Sequence, residues 1–241
     1  TILFWDLLKL TMLPKQTVDK MNKENKIHKV WPIHIGEFYN PDHEEIKSDL
    51  IAYFKEYIKN KPDGRKASEN YNLFESEYNL HSQSNPTFNK LLKEFIVKGF
   101  LTMAKEVNKH LLEVNDKDIS VSIVHSWFIQ YEKGGFVLPH THISRNCSWS
   151  CVYYLQLGKD ATKNNGATYF QKTTPSRLTT DYGSIYDKGD HKKFTPMEGK
   201  MLIWPSHISH GSLPYEGTDN KIIISANARM PLMENGKPII S

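Results

Sequence analysis

The chain has 241 residues, with 31 Lys and Arg against 27 Asp and Glu, for a formal net charge of +4. Charged residues make up 24% and hydrophobic ones 39%, a balance that buries a core and excludes a disordered or collagen-like chain. A surplus of four positive charges over this length is too small to point to nucleic acid.

In chain order, residues 1–13 are apolar but include Asp6 and Lys9. They are too short to cross a bilayer and lack the basic lead and small-residue cleavage pattern of a secretory signal. An amphipathic edge that packs on the body is expected there. Residues 41–59 place Ile46, Leu50, Ile51, Phe54, Tyr57 and Ile58 at helical spacing, and Asn-Lys-Pro-Asp-Gly-Arg at 60–65 closes that helix. Residues 66–84 are mostly polar and read as loop. A stronger helix follows: Asn85 can cap it, Pro86 takes the first helical position, and Phe88, Leu91, Leu92, Phe95, Ile96, Phe100, Ala104, Val107, Leu111 and Leu112 form one apolar stripe. Gly99 weakens it slightly.

After Asp118 the period changes from 3.6 to 2. Residues 119–131 alternate around Val121, Ile123, His125, Trp127 and Ile129, and 151–157, 167–171, 201–204 and 221–229 are further strand candidates rich in β-branched and aromatic residues. Helices first and strands afterwards predict an α+β chain. Many short strands predict a jelly roll, a double-stranded β-helix, buttressed by N-terminal helices. The expected organisation is one domain over 1–241, with helical support in 1–118 and the double-stranded β-helix in 119–230.

The two cysteines are Cys147 and Cys151. On one strand their Cα atoms would lie about 13 Å apart, beyond the roughly 7 Å that a disulfide bridges. Two reduced thiols and a reducing compartment, the cytoplasm, are expected.

Three features of the β half carry chemistry. His140 and His142 flank Thr141, so on an extended segment both imidazoles point to the same side and can reach one metal ion; a solvated loop reads the same way. His207 and His210 follow the apolar run 201–204, where a barrel mouth would present a further ligand or a surface would present a polar turn. In the last strand Lys221, Ile223, Ser225, Asn227 and Arg229 alternate with Ile222, Ile224, Ala226 and Ala228. That polar face either meets solvent or lines the barrel, where a buried lysine needs an anionic partner.

Taken in order, these residues resemble the 2-oxoglutarate- and iron(II)-dependent oxygenases, most of all an uncharacterised bacterial and phage branch of the prolyl-hydroxylase-like group. The resemblance rests on Trp127, Gly134 and Gly135, His140 and His142, Val152-Tyr153-Tyr154-Leu155, Trp204-Pro205-Ser206 with His210, and Lys221 with Ser225 and Asn227. It covers roughly residues 125–229, with an echo in His81-Ser82-Gln83. Ile129 stands where that branch has Asn, and His142 stands where the wider superfamily has an acidic ligand.

The resemblance implies iron(II) held by His140, His142 and His210, with His207 as second choice. It implies 2-oxoglutarate as cosubstrate, its far carboxylate paired with Lys221 and helped by the hydroxyls of Tyr154 and Tyr131, with Ser225 and Asn227 on the same face. Arg229, at the strand end, reads as solvated. The implied reaction consumes dioxygen and couples decarboxylation of 2-oxoglutarate to succinate with hydroxylation of a peptide or small molecule. The loops 158–166 and 172–192 would form a lid, and neither nucleic acid nor membrane is an expected partner. Two alternatives stand beside it: a three-His, cupin-like enzyme that does not use 2-oxoglutarate, and a non-catalytic β-sandwich binding protein.

Overall fold

The structure is a computed structural model that describes residues 33–65, 71–108, 119–143, 146–172, 191–231, 233–234 and 237–238. The fold below is that of the unit His34–Ser241. The amphipathic start at 1–13, the last turn expected of the second helix and most of the 172–192 loop lie outside the described residues.

Strand β1 (Gly36–Tyr39) leads into helix α1 (His43–Asn60). Glu44 and Glu45 in its first turn and Lys59 in its last complement the helix dipole. Its buried stripe includes Ile46, Leu50 and Phe54, as the spacing predicts. The segment expected to be loop contains a short strand, β2 (Leu73–Glu75), paired with β3. Three residues are too few to show an alternation, and β2 exists because the edge of β3 receives it. Helix α2 runs through Pro86–Leu91, a wider π-turn at Leu92–Ile96, and Val97–Val107. Asn85 caps it, its side chain accepting from the Phe88 N–H at 2.8 Å. At Gly99 a side chain would collide with Met201 on β8, so the glycine lets α2 close onto the sheet.

The β half supplies β3 (Ser122–Tyr131), β4 (Gly135–His140), β5 (Trp149–Gln156), β6 (Thr168–Gln171), β7 (His191–Phe194), β8 (Lys200–Pro205), β9 (His210–Tyr215) and β10 (Lys221–Arg229). Two-residue strands β11 (Met233–Glu234) and β12 (Lys237–Pro238) pair with each other. The large sheet has the order β1-β8-β5-β10-β3-β2 and the small one β4-β9-β6-β7. All these pairings are antiparallel. This is the two-sheet jelly roll that the sequence predicts.

The central strands are buried on both faces, and the period of two sorts their residues into two cores. Phe128, Cys151, Tyr153, Met201, Ile203, Ile222, Ile224, Ala226 and Ala228 meet Leu50, Phe54, Leu91 and Phe100 of the helices. Phe54 and Phe128 stack with centroids 4.1 Å apart. The opposite phase, Trp127, Ile129, Tyr131, Val152, Tyr154, Leu202, Trp204 and Ile223, joins Phe170 of the small sheet in the space between the sheets. Lys221, Ser225 and Asn227 share the Ile223 phase, so the polar face of β10 turns inward; all three are buried.

Candidate metal and cosubstrate site

The barrel mouth gathers the histidines. His140 ends β4, His142 lies two residues beyond, and His210 opens β9 directly opposite His140. Ring centroids are 4.4 Å apart for His140 and His210, 4.9 Å for His140 and His142, and 5.1 Å for His142 and His210. One nitrogen from each lies within 4.8 Å of the other two. His142 and His210 are buried and His140 is exposed. His207, the second choice, is exposed on the turn before β9 and is not in this cluster.

Backbone geometry fixes two of the tautomers. His140 Nδ1 lies 2.9 Å from the Leu138 carbonyl and His210 Nδ1 2.9 Å from the Ile208 carbonyl. A carbonyl oxygen only accepts, so Nδ1 carries the proton in both rings and Nε2 keeps a free lone pair. Burial first, then the neighbouring His140, pushes the His210 pKa well below its usual value, which keeps the ring in the neutral form that binds metals. His142 Nε2 lies 3.3 Å from His210 Nε2. Two nitrogens about 2.1 Å from a shared ion and about 100° apart lie about 3.2 Å from each other. The donor set therefore fits a divalent transition metal held by three imidazoles.

The third imidazole has a side-chain support. Asn227 on β10 sets its amide 3.3 Å from His142 Nδ1, and its Oδ1 accepts from Ser150 at 2.8 Å. Ser150 in turn bonds Ser206 at 2.9 Å. With the amide turned over, Oδ1 accepts the His142 Nδ1–H and Nδ2 donates to Ser150, which makes Nε2 the unprotonated, ligating nitrogen of His142. Asn227 thus sits behind a histidine rather than in the cavity.

The three histidines stand at one end of a cavity of about 280 Å³, whose wall includes Trp127, Ile129, Tyr131, Thr168, Trp204, Ser212, Ile223 and Ser225. Tyr131 and Ser225, both named through the resemblance, line it. Lys221 lies behind this wall, fully buried: its ammonium donates to the Gly166 carbonyl at 2.7 Å and Ser212 Oγ at 2.9 Å, and lies 3.9 Å from the Tyr131 ring centroid. Burial lowers its pKa from 10.5 to about 7. The Tyr154 hydroxyl donates to Thr168 Oγ1 at 2.7 Å, and burial raises its pKa to about 12. Thr168, not Tyr154, presents its side chain to the cavity wall. Arg229 is exposed at the end of β10. Ser212 lies on β9, whose strand pattern Gly211 and Pro214 interrupt, and Thr168, within the 167–171 strand candidate, becomes a cavity residue only through the register of β6 with β9.

Comparison with known proteins agrees with this geometry. Residues 125–227 match the family model described as "Putative 2OG-Fe(II) oxygenase". Among solved structures, the chain is similar to a Pseudomonas putida prolyl-4-hydroxylase, with 14% identity over 81% of this chain and 91% of that one and a TM-score of 0.53. It is similar to AviO1 from Streptomyces viridochromogenes, with 14% identity, coverage of 87% and 93%, and a TM-score of 0.54. It is also similar to HygX from Streptomyces hygroscopicus, solved with nickel and 2-oxoglutarate, with 10% identity, coverage of 82% of each chain, and a TM-score of 0.52. No curated protein matches. At these identities the structures speak for the fold, and the family model speaks for the segment that carries all three histidines and Lys221. The segment that carries the three histidines and Lys221 is thus similar to the 2-oxoglutarate- and iron(II)-dependent oxygenases, and the chain shares their fold.

Proposed function

We propose that the protein hydroxylates a primary substrate, with iron(II) held by His140, His142 and His210 and the far carboxylate of 2-oxoglutarate held by Lys221. The observation that carries this reading is the convergence of three imidazole nitrogens within 4.8 Å at the end of a cavity that has a buried lysine behind its wall. Strand β9 supplies a scale. His210 and Ser212 share a face two residues apart, about 6.6 Å along the strand, and the Lys221 ammonium is 2.9 Å from Ser212 Oγ. The carbon skeleton of an extended five-carbon dicarboxylate is about 5 Å long. It therefore reaches from the histidine end to the lysine end.

The residues divide the work. The three imidazoles are neutral, so a bound iron keeps its full 2+ charge, and an anionic 2-oxo acid is the natural complement. Lys221 has three donors; Gly166 and Ser212 engage two, and the third is available to a carboxylate. Tyr131, Thr168 and Ser212 add hydroxyls along the wall. Ile129, Val152 and Ile223 exclude water between the two ends, which strengthens each charged contact. Iron with 2-oxoglutarate supplies the oxidising chemistry, using dioxygen and releasing succinate and CO₂. The two free thiols, Cys147 and Cys151, support a reducing compartment such as the cytoplasm. Among the described residues no helix is long and apolar enough to cross a membrane.

The test is anaerobic titration of the iron(II)-loaded protein with 2-oxoglutarate. A metal-to-ligand charge-transfer band is expected, followed by succinate when air is admitted. Absence of both would overturn the reading and favour a three-His enzyme that does not use 2-oxoglutarate.

A further inference from the structure

Two tryptophans in the cavity wall carry indole donors that no described residue satisfies. Trp127 on β3 and Trp204 on β8 share the inward face of the large sheet, on the two strands that flank the central pair β5 and β10. Their rings stand beside the histidine cluster, Trp204 with its centroid 4.6 Å from His210 and Trp127 with its centroid 5.8 Å from His142. Both indole Nε1–H groups are buried and have no hydrogen-bond partner among the described residues. An indole nitrogen can only donate, and buried donors in folded proteins are nearly always met. Their ring neighbours do not meet these two. Trp204 packs on Phe170, and the Nδ1 of its neighbour His210 is bound to the Ile208 carbonyl. Trp127 packs on Tyr78, and the Nδ1 of its neighbour His142 faces Asn227. Both tryptophans line the cavity, so a group that enters it can supply the acceptors that the described residues do not.

The cavity grades from apolar to polar in a way that identifies those acceptors. Trp127 lies opposite Ser225 across the sheet, and Trp204 lies opposite Ser150. Both rows are on the histidine side of Ile223, whereas Lys221, Thr168 and Ser212 serve the far end. An oxygen-rich group beside the histidines is what two unmet donors there require.

We propose that Trp127 and Trp204 donate their indole hydrogens to oxygens at the metal end of the bound 2-oxo acid and so determine how it is seated; this rests on the function proposed above. The pair then complements Lys221: the lysine recognises the far carboxylate, and the indoles orient the near end. Trp127→Phe and Trp204→Phe keep an aromatic ring in each place and remove only the N–H and its half of the indole.

The experiment follows the indole proton resonances of the zinc-loaded, diamagnetic, ¹⁵N-labelled protein as 2-oxoglutarate is added, with isothermal titration of the same ligand into both nickel-loaded Phe variants. The expected result is a downfield shift of the Trp127 and Trp204 indole protons on saturation, with Trp149 unmoved. Each Phe variant should bind 2-oxoglutarate about five- to a hundredfold more weakly and bind nickel alone as wild type does. If the wild type binds 2-oxoglutarate while both resonances stay in place, the indole assignment is wrong and the proposed function survives. If a Phe variant loses nickel as well, the indole is packing the histidines and the assignment is wrong. If the metal-loaded wild type binds no 2-oxoglutarate, the function proposed above fails and this assignment falls with it.

Discussion

Replacing Lys221 by Met should separate two opposed roles of one residue. In the folded protein the ammonium is fully buried and its pKa falls from 10.5 to about 7. The difference is 10.5 − 7 = 3.5, so carrying the charge costs the fold roughly 5 kcal/mol at about 1.4 kcal/mol per unit. Because the folded pKa lies below the unfolded one, the unfolded chain holds more protons between about pH 7 and 10.5. Wild-type stability therefore rises with pH through that window, and the penalty is complete below it. Methionine has no proton and a similar length, so the variant lacks this slope. It also leaves the Gly166 carbonyl and Ser212 hydroxyl without their lysine donor, at about 1–3 kcal/mol each. At pH 6 the variant should fall between about 1 kcal/mol less and 3 kcal/mol more stable than wild type. Its relative stability should then decline by up to about 1.4 kcal/mol per pH unit above pH 7. Urea unfolding of both proteins at pH 6, 7, 8 and 9 measures this directly. In the same variant, 2-oxoglutarate should bind ten- to a thousandfold more weakly, about 1.4–4 kcal/mol, while iron(II) binding persists. Parallel stability curves for the two proteins between pH 7 and 9 would refute the buried-charge argument. Unchanged 2-oxoglutarate affinity would move the carboxylate partner elsewhere, with the wall hydroxyls of Tyr131, Thr168 and Ser212 the next to test, since Arg229 is exposed at the opposite end of β10.

His140→Ala and His210→Ala should each abolish tight iron(II) binding in anaerobic isothermal titration, since only two ligands remain. His142→Asp should hold iron at least as well as wild type because it adds the negative charge that three imidazoles lack; loss of binding would show that the third ligand must be an imidazole here. Asn227→Ala should weaken metal binding about 10–100-fold, whereas Asn227→Asp, which still accepts from His142 Nδ1, should largely retain it; equal loss in both variants would reduce Asn227 to packing. Phe128→Ala should cost about 3–5 kcal/mol in urea unfolding, because it removes the ring stacked on Phe54 at the centre of the helix-facing core; a cost under about 1 kcal/mol would mean that the helices contribute little to holding the sheet.

The parts of the site legible in the sequence are those that a local period specifies. Two histidines two residues apart announce a shared side, and the alternation of β10 separates Lys221, Ser225 and Asn227 from the aliphatic face without knowledge of any neighbour. The helix beginning at Asn85-Pro86 is similarly self-contained, since cap and first turn lie within four residues. What the sequence leaves hidden depends on registers between distant strands. Thr168 meets Ser212 across β6 and β9, and Asn227 meets His142 across a sequence separation of 85. Short edge strands such as β2 carry too little pattern to be seen until the strand that receives them is in place. The alternation of β10 was compatible with either orientation of its polar face, and only the helices covering the aliphatic side decide which way it turns.

Strand β10 pairs on both sides, with β3 and with β5, and carries both the lysine and the support of a histidine. A slip of one residue would exchange the two faces, driving Lys221 among Phe100 and Phe128 and leaving Ile222, Ile224 and Ala226 to line the cavity. No compensating change at a single position could repair that, so insertions and deletions are barred along the whole of Lys221–Arg229. The entrance is built differently. Leu73, Glu75, Val137 and Leu138 come from β2 and β4, which lie at sheet edges and have a neighbour on one side only. Under the proposed function, substrate range can therefore diversify by substitution or lengthening at these margins while the strand that carries Lys221 stays fixed. Within this lineage, chain-length variation should accumulate beside β2 and β4 and be absent from β10.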